Sequence, residues 1–162
     1  MDKDMKLRKF IATTIREYLN EQQVSKEEEA IHKALEGTNL IYAFESAIIK
    51  KNNEPLIKAI DKLLKPNNNT SSIAKNLIDV YMSMKTVDGY KLYVDPAHIN
   101  LGNCVFFAED LSTLLTRNGI KNEVQNPYND WHVWVYSQGK YYDSEAINGV
   151  KNVEDLPLLS KK

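Results

Sequence analysis

The chain has little of what small proteins use to staple themselves together or to enter membranes. It holds one cysteine, Cys104, so no internal disulfide framework supports the fold. It has no Cys-x-x-Cys pair and no His-Glu-x-x-His. Its three histidines, His32, His98 and His132, are scattered, a spacing that argues against a structural zinc, and no cofactor is expected. No sign of charge dominates either. Twenty-one Lys and Arg against 22 Asp and Glu leave a net charge of -1, which gives no ground for nucleic acid or an anionic membrane as partner. Apolar runs are short: Cys104 to Ala108 falls far below a bilayer span. The charged N-terminus, MDKDMKLRKFIATTIREYLNEQQ, lacks the apolar stretch of a secretory signal. The expectation is a cytoplasmic protein, where reducing conditions keep a lone thiol usable.

What is present is an ordinary globular composition. The 162 residues are 43% hydrophobic and 27% charged, enough for one domain with a real core rather than a disordered chain. Residues 1–86 read as mainly helical. Met5, Leu7, Phe10, Ile11, Ile15, Tyr18 and Leu19 recur at helical spacing. Ser25 followed by Glu27, Glu28 and Glu29 marks a helix start, since carboxylates suit a first turn. Gly37 interrupts, Thr38 is a candidate cap for a helix through Ile49, and a further helix is expected from Glu54 to Leu64 with Pro55 in its first turn. Lys65 to Ser72 reads as a loop, with Ser71 or Ser72 capping a helix that carries Ile73, Leu77, Ile78, Tyr81 and Met82. Asp88-Gly89 closes that helix and opens an extended segment, Tyr90 to Val94, stopped by Pro96.

Residues 87–162 change character. Cys104 to Arg117 reads as a helix with Asn118-Gly119 as its stop, and Ile120 to Gln125 as a strand. His132 to Tyr136 and Lys140 to Ala146 are aromatic and β-branched, and they read as a hairpin about Ser137-Gln138-Gly139. Helices followed by antiparallel strands predict an α+β fold.

Cys104 opens its helix, so free backbone N–H groups and the helix dipole favour its thiolate. Gly102 is expected to let the backbone enter that turn tightly. In a two- or four-residue hairpin loop, His132 shares a face with Trp134, Tyr136, Tyr141, Asp143 and Glu145. A Ser137-Gln138 turn sets His132 directly across from Asp143, and a four-residue turn makes them diagonal neighbours. A three-residue loop would place them on opposite faces. Alone, each residue has an ordinary structural role. Together they make a candidate triad: Cys104 as nucleophile, His132 as the base that takes its proton, and Asp143 fixing the imidazole.

Gly102-Asn103-Cys104-Val105-Phe106-Phe107-Ala108, continuing as EDLSTLLTRNGIKNEV, resembles the nucleophile helix and following strand of the transglutaminase-like superfamily. Asp130-Trp131-His132-Val133-Trp134-Val135 resembles its histidine strand, and Gly139-Lys140-Tyr141-Tyr142-Asp143 its aspartate motif. The resemblance covers roughly residues 100 to 146. It implies a papain-like core and thioester chemistry on an amide or ester carbonyl. The expected activity is a cysteine hydrolase, a peptidase or amidase acting on a protein or peptide. The alternatives are transglutaminase or deamidase transfer on glutamine side chains, and an inactive binding or inhibitory protein on the same scaffold.

Departures from the pattern bear on this choice. Val105 stands where Trp is common, Ser144 stands where Pro is common, and the Cys-to-His separation is short. No Trp precedes Cys104 to donate to an oxyanion, so Asn103 is the candidate donor, with Asn100 and His98 as substitutes. Nothing resembles a calcium site. Trp131 and Trp134 are candidate substrate-binding residues. The segment LRKFIATTIREYLNEQ is similar to the amphipathic N-termini of some phage-encoded proteins, which implies a host cytoplasm.

Overall fold

The computed structural model describes residues 26–50, 53–86, 88–125 and 131–161. The helix expected over Met5 to Leu19 lies outside them. Among the described residues the fold is α+β. Helices α1 (Lys26–Leu35), α2 (Leu40–Lys50), α3 (Glu54–Leu64) and α4 (Thr70–Ser83) come first, then a short α5 (Pro96–Asn100) and α6 (Cys104–Arg117). Strands β1 (Asn122–Gln125), β2 (Trp134–Ser137) and β3 (Lys140–Tyr142) follow, then a 3-10 turn at Val153–Asp155 and α7 (Pro157–Ser160). Among the described residues no helix is long and apolar enough to cross a membrane.

Local chemistry accounts for most of the boundaries. In α3, Pro55 occupies the first turn, where its missing N–H costs nothing, and Leu56, Ile60 and Leu63 form the buried stripe. The expected cap of α4 at Ser71 or Ser72 is corrected by a few residues. Asn69 is the N-cap, and its side chain accepts from the Ser72 N–H at 2.9 Å. Thr38 is corrected as well: its hydroxyl donates 2.7 Å back to Leu35 O, so it closes α1 rather than opening α2. The Arg117 guanidinium donates to the Ala34 and Glu36 carbonyls at the same end, joining α6 to α1.

The expected extended run from Tyr90 to Val94 forms only one isolated bridge, Lys91 with Lys85. Pro96 does not simply stop it. Asp95 accepts from the His98 N–H at 2.8 Å, and Pro96 begins α5 at a position that tolerates its ring. The sequence reading missed this helix because five residues give too short a periodic signal.

The sheet is antiparallel with order β1-β2-β3. Ser137 pairs with Lys140 and Tyr136 with Tyr141, so the loop is the two residues Gln138-Gly139. Both have positive φ, 50° and 77°, the backbone that matches the strands' right-handed twist. Helix α6 packs against α4 on one side and the sheet on the other. Its buried face carries Cys104, Phe107, Ala108, Leu111, Leu114 and Leu115, which join one core with Leu77, Tyr81, Val133, Val135 and Tyr142. Trp134, Ala146 and Leu156 form a second, smaller cluster.

Gly149 closes the segment after β3 with φ +70°. A Cβ there would lie 2.6 Å from the Tyr142 ring and 2.9 Å from Lys140 Cβ. Gly149→Ala is therefore expected to lower stability by at least about 1–2 kcal/mol, the left-handed backbone strain alone, as read by chemical denaturation. An unchanged denaturation midpoint would contradict this packing.

Candidate functional site

The three candidate residues come together, although not by the route the hairpin arithmetic anticipated. The ladder ends before it reaches them: β2 begins at Trp134 and β3 stops at Tyr142, so His132 and Asp143 lie just beyond the paired residues. The observed register extrapolates to diagonal neighbours, and His132 Nε2 donates to Asp143 Oδ2 at 3.0 Å. The other carboxylate oxygen, Oδ1, accepts from the backbone N–H groups of Glu145 (2.9 Å) and Ala146 (2.7 Å). The Asp143 carboxylate is thus satisfied on both oxygens while only 1% exposed.

Because a carboxylate only accepts, Nε2 carries the ring proton in the neutral imidazole, and Nδ1 keeps a bare lone pair. Nδ1 is buried without a hydrogen-bond partner, and Cys104 is the neighbouring acid. The thiol and Nδ1 do not form an aligned hydrogen bond in this arrangement, but each shifts the other's proton affinity. Burial alone pushes the Cys104 thiol up. His132, the Val133 N–H and the Val105 N–H together outweigh it and hold the thiol below its ordinary 9.0. Burial likewise opposes charge on His132, yet hydrogen bonding to Asp143 and the approach of Cys104 raise it to about 9. The thiol is thus held down and the imidazolium held up, which favours thiolate and imidazolium as a pair.

The Val105 N–H belongs to the first turn of α6, so the open end of the helix acts on the sulfur as anticipated. Gly102 does not play the part expected of it. Its φ is not positive, and a Cβ there would meet nothing within 4 Å. Asn103 occupies the N-cap position of α6 without a side-chain capping bond, half-exposed at the helix mouth. Asn100 is committed elsewhere, its amide donating 2.9 Å to Glu145 Oε2, and His98 is exposed beside the Tyr93 ring.

The two tryptophans separate. Trp131 is 44% exposed next to His132, with ring centroids 6.3 Å apart. Trp134 is 1% exposed in the second cluster and packs its indole 5.7 Å from the imidazole. It supports His132 from behind rather than presenting a surface to substrate.

Sequence reasoning missed the residues that hold the aspartate segment. The Ser144 hydroxyl donates 2.7 Å to Pro96 O, and Glu145 receives both Asn100 and the Lys161 ammonium (3.1 Å). These links fasten the segment of Asp143 to α5, immediately ahead of Cys104. Ser144, a departure from the family pattern, has this structural use. Its partner is 48 residues away, so no local signal reveals it.

No group of three or more His, Cys, Asp or Glu among the described residues is arranged to hold a metal. Two cavities bear on access. One of about 220 Å³ lies around Asn53 and Thr86, away from the thiol. The other, about 350 Å³, borders Asn103 and Phe106 at the start of α6. No family model, no curated protein and no solved structure matches this chain.

Alkylation by iodoacetamide reads the thiolate directly. Cys104 is expected to react with an inflection below the free-thiol pKa. His132→Ala removes the chief stabiliser and leaves burial unopposed, so the inflection moves up and the rate at pH 6 falls at least about tenfold. A His132→Ala profile superimposing on that of the unmodified chain would refute the coupling.

Proposed function

We propose that this chain is a cysteine-dependent hydrolase, a peptidase or amidase, working through Cys104, His132 and Asp143 on a papain-like core of the transglutaminase-like type. The observation that carries the reading is the buried line from the Asp143 carboxylate to His132 and on to a thiol held below its ordinary pKa. A structural cysteine in an apolar core has its pKa raised by burial; this one is lowered despite burial.

The thiolate attacks the substrate carbonyl carbon, forming a C–S bond and moving the carbonyl electrons onto oxygen. Backbone N–H groups at the start of α6 and the Asn103 amide are the donors assigned to that oxyanion. Collapse of the intermediate expels the amine, which takes its proton from the His132 imidazolium, leaving a thioester. His132 then removes a proton from water, hydroxide adds to the thioester, and the acid leaves with Cys104 restored. Asp143 holds the ring throughout by accepting from Nε2.

Exposed apolar side chains surround the site: Leu101, Val105 and Phe106 at the start of α6, and Trp131 beside His132. Such a rim suits a polypeptide better than a small polar substrate. Cys104 itself is only 7% exposed, so side chains at this rim must yield for a carbonyl to reach the sulfur.

Incubating the chain with proteins and a labelled primary amine tests the reading. New chain termini, lost in Cys104→Ala, indicate hydrolysis of the substrate chain, and ammonia released without label or new termini indicates deamidation. Label incorporated into protein indicates acyl transfer, and the absence of all three indicates an inactive scaffold. The kcat/KM profile should be bell-shaped. Activity rises as Cys104 ionises below its ordinary 9.0 and falls as His132 loses its proton near 9.

A further inference from the structure

The cavity of about 350 Å³ at the start of α6 has a composition the hydrolase reading does not itself require. Four aromatic rings line it, Tyr42, Tyr81, Tyr93 and Phe106, together with Met84, Asn39 and Asn103. Tyr81 and Tyr93 are buried against each other with ring centroids 5.5 Å apart, while Tyr42 and Phe106 are each 43% exposed and form a rim. No Lys or Arg lines it.

Directly behind this wall lies a buried carboxylate. Asp110 is fully buried and accepts from the Tyr81 hydroxyl at 2.8 Å, the Asn39 N–H at 2.6 Å and the Asn39 amide at 3.1 Å. All three donors are neutral, and both donor residues line the cavity. Burial pushes Asp110 up, the Asn39 and Tyr81 donors pull it back, and the balance is about 6, so it is ionised at pH 7. Glu109 lies alongside and reaches Asn39 at 3.4 Å. The negative field extends into the wall: Tyr93 is held above its ordinary pKa first by burial and then by Asp110. Aromatic faces with a buried, neutrally solvated carboxylate behind them attract cations, and they disfavour anions strongly.

We propose that this cavity is the subsite for a cationic side chain, lysine or arginine, of the polypeptide whose carbonyl meets Cys104. The proposal rests on Cys104 being the nucleophile, because Asn103 borders the cavity one residue before it. The acceptor chemistry is that of an aromatic cage: an ammonium or guanidinium enters between the rings, and Asp110 compensates its charge through Tyr81 and Asn39. The aliphatic stem lies along the rim.

Two measurements on the full chain at pH 7.5 test it and separate it from the nucleophile reading. The first is equilibrium binding of n-butyltrimethylammonium, followed by protein NMR, against its neutral isostere lacking the charged nitrogen. The ammonium should bind at least about tenfold tighter than the isostere. The Tyr42→Leu, Phe106→Leu double variant should abolish that preference without shifting the thermal midpoint, since both rings are at the rim. Asp110→Asn should weaken the ammonium alone. Equal binding of the two probes, or binding of neither, overturns the subsite.

The second compares alkylation of Cys104 by chloroacetyl peptides carrying lysine or norleucine. The lysine peptide should react about tenfold faster, and the double variant should remove the advantage. Fast alkylation by both peptides at equal rates overturns the subsite and leaves the nucleophile standing. Slow alkylation by every reagent, iodoacetamide included, overturns the nucleophile and with it the link between this cavity and catalysis, even where the ammonium binds.

Discussion

A buried carboxylate beside a buried imidazole is tolerable only when each polar atom finds a partner, and Asp143 meets that condition through three donors. Leaving one partner of such a pair unmade costs roughly 3–5 kcal/mol, a large part of a small domain's stability. The Glu145 and Ala146 N–H groups turn the chain sharply after β3 and lock one oxygen, which leaves the other aimed at His132. The ring is then fixed at Nε2, and its remaining nitrogen is the unmade bond of the site. An orphaned Nδ1 beside a thiol is a stored demand for a proton. Cys104 is the acid nearest to it, and its thiol is held below the ordinary value although burial opposes this.

Holding this line straight requires two chain segments to keep their distance. The sheet carries His132 and Asp143, whereas α6 carries Cys104, and the packing of α6 between α4 and the sheet sets the gap between them. Ser144 on Pro96 O and Glu145 on Asn100 pin the aspartate end to α5, one turn ahead of Cys104. At the other end of the hairpin, the Thr70 hydroxyl donates to Gln138 Oε1 at 3.0 Å and lies 3.3 Å from Ser137 Oγ, tying the turn to the start of α4. The hairpin is thereby held at both ends by side chains from helices. Trp134 fills the space behind the imidazole, so the ring cannot retreat.

The same helix serves both parts of the site. Its Cys104 face turns toward the sheet, while Asn103, Phe106 and Asp110 lie on a neighbouring face directed at α2 and α4. Asp110 accepts from the N–H of Asn39 at the mouth of α2, so one buried charge both secures the helix packing and colours the adjoining cavity.

Helices α3 and α6 were legible to the residue because proline, glycine and apolar periodicity act within a few residues. The hairpin was legible in place but not in register: the sequence offered a Ser137-Gln138 or a Ser137–Lys140 turn, whereas the observed turn is Gln138-Gly139, with His132 and Asp143 diagonal just past the paired residues. The α4 cap went to Asn69 rather than a nearby serine because several residues there can cap and only packing chooses among them. The short α5 and the broken run at Tyr90 to Val94 were not legible, since five residues carry no period. What the sequence alone determined is the order of Cys104, His132 and Asp143 along the chain and the helix start at which the thiol sits. Which nitrogen of His132 faces which partner, that Trp134 is interior, and that Asp110 lies behind a cage of rings were decided only in three dimensions. Those are contacts between residues tens of positions apart, and they exist once the helices and sheet have packed.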